Sequence, residues 1–139
     1  MISEFDEKPN RLLICGSRSF GNIAYMHDKL YSMFPQILLE KTAIISGGAY
    51  GADSCAAIFA RQRGVPFREI EAEWDLYGKS AGYIRNADMI DLCSKAPERG
   101  IVVAFWDGCS RGTKHTMDLA EKKGLELHVI RTDNRGLLR

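Results

Sequence analysis

Strand-like and helix-like stretches alternate along the whole chain. Short runs that read as strands lie at 11–16 (RLLICG), 42–46 (TAIIS), 66–72 (PFREIEA), 100–108 (GIVVAFWDG) and 125–131 (LELHVIR). Between them, apolar residues recur at spacings of three and four, as in Ile23, Met26, Leu30 and Met33 of the 22–40 stretch, where Pro35 should end or kink a helix. Helices are also predicted over 51–64 and 111–124, each closed by a glycine, and over 81–95, while 73–82 reads as loop. An all-helical fold is excluded because RLLICG and GIVVAFWDG are short and bounded by glycine. Apolar strands linked by helices argue for an α/β fold with a mostly parallel sheet of about five strands and helices on both faces. The 66–72 run, with alternating polar residues, belongs nearer an edge.

At 139 residues the chain fits one domain, divided as a polar leader (1–10), a single domain (11–131) and a C-terminal tail (132–139). Nineteen basic and 18 acidic side chains give a net charge of +1, which argues against a nucleic-acid partner held by a broad basic face. Cys15, Cys55, Cys93 and Cys109 show no metal-ligand spacing and read as reduced, mostly buried thiols, so neither a metal nor a resident cofactor is expected. The N-terminus lacks a basic-then-apolar signal pattern, and no apolar run approaches the ~20 residues that span a bilayer. The expectation is a cytoplasmic protein without a membrane partner.

Three strand ends carry glycine and hydroxyl residues: CGSRSFGN after the first, SGGAYGAD after the second and WDGCSRGTKH after the fourth. In a parallel sheet these turns leave from one edge, the carboxyl edge, where ligands of such sheets sit. Glycines allow close approach and helix N-termini offer free amides, a combination suited to an anion such as phosphate. The candidate ligand-binding residues are Gly16, Ser17 and Arg18; Gly47, Gly48, Gly51 and Asp53; Arg85 and Asn86; and Ser110, Gly112 and Thr113. Residues 46–51 only approximate a GxGxxG dinucleotide fingerprint, with Glu71 at about the distance of a ribose-binding acid, and no P-loop motif is present. Asp53 would repel a phosphate beside it; it suits a ribose hydroxyl or holding of the loop. Arg85 serves either a phosphate or the solvated surface. Cys109 reads as a turn residue and His115 as a helix-surface histidine. Trp74 and Tyr77 offer rings for stacking on a base, and Trp74 and Trp106 read equally well as core.

The ordered motifs ICGSRSF, ISGGAYGAD, YIRNADMID and DGCSRGTKHTMDLAEKKGL resemble the SLOG superfamily. That superfamily takes in LOG-type phosphoribohydrolases, YpsA proteins and the core of the DNA-processing protein DprA, and the likeness is greatest to the small bacterial and phage DUF2493, or YpsA-related, group. The resemblance implies a Rossmann-like three-layer sandwich that takes a nucleotide or nucleotide-derived ligand, and self-association through helices. LOG-type hydrolases carry PGGxGTxxE in the last motif, whereas Thr116 stands here at the glutamate position. Arg85 matches their phosphate-site arginine. A binding module that senses, carries or sequesters a nucleotide is therefore the leading expectation. The alternative is an N-glycosidase that cleaves a nucleoside monophosphate, with Glu73, Asp75, Asp107 or Asp53 as substitute carboxylates. The third is a DprA-like single-stranded DNA binder.

Overall fold

The computed structural model describes residues 3–132. Strands β1 (Asn10–Gly16), β2 (Thr42–Gly47), β3 (Phe67–Ile70), β4 (Arg99–Trp106) and β5 (Glu126–Arg131) form one sheet in the order β3-β2-β1-β4-β5. Every pairing is parallel, and β1 and β4 are in register from Asn10↔Arg99 to Gly16↔Phe105. The architecture is the Rossmann-like α/β fold. The chain winds outward from β1 to β3, then returns to start again at β4, so the direction of winding reverses between β1 and β4. A crevice opens at such a point.

Period-two alternation divides the core between the two faces. Leu12, Ile14, Ile44, Val103 and Phe105 face α2 (Ile23–Met33) and α4 (Ala52–Arg63), meeting Met26, Leu30 and Phe59. Leu13, Cys15, Ile45, Val102 and Ala104 face α6 (Ala81–Ser94) and α7 (Arg111–Lys123), meeting Met89, Ile90, Cys93 and Met117. Because the central strands are covered on both sides, they read as continuous apolar runs. The edge position of β3 explains its alternating polar residues.

As expected, Pro35 ends the first long helix, and the short helix α3 (Gln36–Glu40) follows it. The elements differ from expectation in two places. The 73–82 stretch, expected as loop, holds α5 (Trp74–Tyr77) and a 3-10 turn at Gly78–Ser80. The leader contains α1 (Glu4–Glu7), and Thr132, the one described residue of the expected tail, is buried with its amide donated to the Trp106 carbonyl at 2.9 Å. The rest of that tail, 133–139, lies outside the described residues. Cys15, Cys55 and Cys93 are buried and Cys109, in its turn, is exposed, in keeping with mostly buried thiols.

Helix α1 is held by its one apolar residue. Phe5 is buried between two guanidiniums, with Arg68 4.1 Å and Arg11 5.0 Å from the ring centroid, and Arg11 also donates to the Leu92 carbonyl at 2.7 Å. Phe5→Ala removes the ring and both cation–π contacts, and is expected to lower unfolding stability by about 3 kcal/mol in chemical denaturation. An unchanged midpoint would mean that α1 is not docked in solution.

Among the described residues, no helix is long and apolar enough to cross a membrane.

Candidate functional site

The three glycine-bearing turns meet at the carboxyl edge of the sheet, and Ser17 ties them together. Its amide donates to the Phe105 carbonyl (2.9 Å), its carbonyl accepts the Ala52 amide (3.2 Å), and its hydroxyl accepts the Asp107 amide (3.0 Å). The β1 turn is thereby fastened to both the α4 N-terminus and the β4 turn. Ser17, expected to touch a ligand, is buried and fully engaged in this joint.

Above the joint lies a cleft of about 480 Å³ lined by Gly16, Arg18, Asp53, Arg85, Asp107 and Gly112, among others. A second cleft of about 390 Å³ adjoins it, lined by Gly48, Tyr50, Glu71 and Trp74 and sharing Arg18, Ala49 and Arg85 with the first. The two arginines therefore stand on the ridge between the clefts. Among the described residues neither forms an ion pair.

Of the expected ligand residues, Gly16, Arg18, Asp53, Arg85, Asn86, Ser110, Gly112 and Thr113 line the first cleft and Gly48 the second. Gly47 and Gly51 line neither, for a steric reason. A Cβ on Gly47 would stand 2.7 Å from Arg85 Nη1 and 2.8 Å from Asp53 Oδ2, so that glycine makes room for the cleft's own charged side chains. A Cβ on Gly51 would stand 2.5 Å from the Arg18 carbonyl oxygen and closer still to that of Ser17. What approaches that backbone is the β1 turn. Of the candidate catalytic carboxylates, Asp53 and Asp107 reach the first cleft; Glu73, the residue before α5, lines neither cleft.

The two cleft carboxylates differ in environment. Asp53 is only 7% exposed, and burial pushes its carboxyl up from the ordinary 3.8 to about 6, against the opposing pull of the Ala49 amide (3.2 Å) and the Arg85 guanidinium. Asp107 moves the other way. Burial would raise it, but the Ser110 and Cys109 amides, each 2.8 Å from Oδ1, outweigh burial and hold it below the ordinary carboxylate range. Asp107 thus fills part of the anion-attracting end of α7, and Ser110 caps that helix by accepting the Thr113 amide at 3.5 Å. The cleft is balanced in charge, with two arginines and two aspartates, and is less electropositive than its glycine content suggests.

Asn86 braces α6 against α7. Its Oδ1 accepts from Arg85 Nε (3.0 Å), while its Nδ2 donates to the Gly112 carbonyl (3.3 Å) and faces His115 Nδ1 at 3.2 Å. Since the amide nitrogen can only donate, His115 accepts through Nδ1. His115 is half-buried under Tyr83, with ring centroids 4.7 Å apart, and burial lowers its pKa, so it is not the surface histidine its helix position suggests. Trp106 is half-buried, its Nε1 donating to the Ser110 carbonyl at 3.0 Å, whereas Trp74 stands largely in solvent.

The family described as YAcAr: YspA, cpYpsA-related SLOG family matches residues 10–77. The Gene 61 protein of Mycobacterium phage D29 is 35% identical over 124 residues, covering 83% of this chain and 91% of the relative. The chain belongs to this SLOG family. Among solved structures, the SLOG chain resembles DNA processing protein A (DprA) of Streptococcus pneumoniae with a TM-score of 0.65 at 20% identity over 86% of this chain, which spans half the length of that protein. It also resembles the Helicobacter pylori DNA processing protein A, whose structure describes a single-stranded DNA binding mode, with a TM-score of 0.61 at 19% identity over 92% of this chain and 68% of that one. At these identities the likeness establishes the shared fold. In this SLOG protein α7 carries no acid at position 116, in its second turn. Thr116 is buried there and returns its hydroxyl to the Gly112 carbonyl at 3.2 Å.

Proposed function

We propose that the double cleft binds a nucleotide or nucleotide-derived small molecule, its phosphate drawn to Arg18 and Arg85 and a sugar hydroxyl donated to Asp53. The observation that carries this reading is the ridge itself: two guanidiniums from different elements, free of ion pairs among the described residues, face a site-sized cleft at the reversal point of a parallel sheet. Asp53 supports a hydroxyl in preference to a second phosphate, because a buried carboxylate gains from a donor and loses from an anion. Calorimetry with a panel of nucleoside mono- and diphosphates tests it. Arg85→Ala is expected to weaken binding by at least tenfold, since a charge-assisted pair is lost. Equal affinity in the variant would remove the phosphate from the ridge.

The same samples, followed by chromatography for free base, address the glycosidase reading. Thr116 offers no carboxylate, and Asp53, with its pKa near 6, is the cleft group best suited to general acid–base work. Base released in proportion to protein would make the site an enzyme.

A second binding reading is single-stranded DNA, favoured by the fold shared with the Helicobacter pylori protein. The near-zero net charge does not dispose of it, because two ridge arginines with exposed rings beside them can meet one phosphate and its bases without a broad basic face. A salt-sensitive mobility shift of labelled single-stranded DNA at low micromolar protein would favour it over a free nucleotide.

A further inference from the structure

We propose that the second cleft is a nucleobase subsite in which Trp74 and Tyr50 stack on the base and Glu71 selects bases that carry an exocyclic amino group. This assignment rests on the nucleotide reading and extends it from the phosphate to the base. Tyr50 is 82% and Trp74 52% exposed, and both line one cleft. Large rings left this open are of use at a surface chiefly when something flat covers them. Trp74 is also seated beside α6: its Cη2 would lie 3.5 Å from a Cβ placed on Gly82, an ordinary packing distance. An anchored, exposed ring loses little freedom when a base covers it.

Besides the ridge arginines, the charged group of this cleft is the carboxyl of Glu71, which neighbours that of Glu69. Glu71 stands against Gly48, where an added Cβ would come within 3.1 Å of its Cγ. An ionised carboxylate only accepts hydrogen bonds. Adenine, guanine and cytosine offer it an exocyclic amino group, whereas uracil presents carbonyl oxygens on either side of its single N–H. The ribose joins the base to its 5′-phosphate, so with the base in this cleft the sugar crosses the shared ridge, where Arg18 and Arg85 meet the phosphate and Asp53 of the first cleft meets a sugar hydroxyl.

The test compares ribose 5-phosphate, AMP, GMP, CMP and UMP by calorimetry, with tryptophan fluorescence as a second readout. The expected result is that AMP, GMP and CMP bind on the order of tenfold to a hundredfold more tightly than ribose 5-phosphate, that UMP falls behind them, and that binding quenches fluorescence. Trp74→Ala should lose most of the gain over ribose 5-phosphate while leaving the affinity for ribose 5-phosphate itself unchanged. Trp74→Phe should keep the gain and lose the quench, and E71Q should narrow the difference between UMP and the others. Ribose 5-phosphate binding as tightly as every nucleotide would overturn the base subsite and leave the phosphate ridge standing. No binding of any of the five would overturn both.

Discussion

Gly51→Ala is expected to lower unfolding stability by about 3 kcal/mol, without any ligand present. Two effects add. Gly51 has φ +82°, in the region where an L side chain meets its own backbone at a cost of roughly 1–2 kcal/mol. The new methyl group would also be driven against the carbonyls of Ser17 and Arg18, and overpacking of that kind costs roughly 1–3 kcal/mol. The turn cannot easily retreat, because Ser17 is bonded at once to Phe105, Ala52 and Asp107. Urea denaturation should show a midpoint lower by on the order of 1–2 M with an unchanged slope. Gly21→Ala is the control. A Cβ there meets nothing within 4 Å, and the change should stay within about 0.5 kcal/mol. If Gly51→Ala were as mild as Gly21→Ala, packing would not explain the glycine, and close approach of a ligand would return as its reason.

That result bears on how much of the site the sequence reveals. Glycines at 47, 48 and 51 announce that something comes close to the backbone, but composition cannot say what. At Gly51 the neighbour is a turn more than 30 residues earlier in the chain, and at Gly47 it is Arg85 and Asp53. Both are tertiary contacts that no local spacing encodes. Ser17 shows the same limit: a serine after a strand looks like a ligand hydroxyl, and only the meeting of three turns assigns its hydroxyl to Asp107. The strands were legible because burial on both faces of the sheet demands unbroken apolar runs, and edge strand β3 kept its alternation. Strand order was not legible, since it depends on which face each crossover takes. Helices α1 and α5, of four residues each, complete little more than one turn and give no repeat to detect. Tyr50 carries a local signal: an aromatic residue placed among glycines in a turn is hard to bury, and it is the most exposed large apolar side chain of the described chain.

Asp53→Asn is expected to do the opposite of Gly51→Ala and stabilise the protein at neutral pH. In the unfolded chain the Asp53 carboxyl titrates near 3.8, and in the native state near 6, with burial as the dominant cause. The native state therefore holds its proton more tightly, and between those values it binds more protons than the unfolded chain. Stability attributable to Asp53 must then fall as pH rises from about 4 to about 6, and the full deficit, about 3 kcal/mol, persists above that. Asparagine stays neutral throughout. Its Oδ1 can still accept the Ala49 amide, and its Nδ2 can turn toward Ser46 Oγ, the buried hydroxyl that neighbours the carboxyl group. The gain should be about 2 kcal/mol at pH 7.5, below the full deficit because the amide's Nδ2 must find an acceptor where the carboxylate presented only oxygens. At pH 4, where the native carboxyl is already protonated, most of the difference should vanish. Denaturation of both proteins at the two pH values measures this, and a variant no more stable at pH 7.5 would show that the carboxylate is comfortable where it is. A more stable Asp53→Asn at pH 7.5 would support the sugar-hydroxyl role proposed for this acid, since folding alone would favour the amide. The paired expectation is that Asp53→Asn weakens AMP binding at pH 7.5 while raising stability, because the amide that relieves the native state is a poorer acceptor for a sugar hydroxyl.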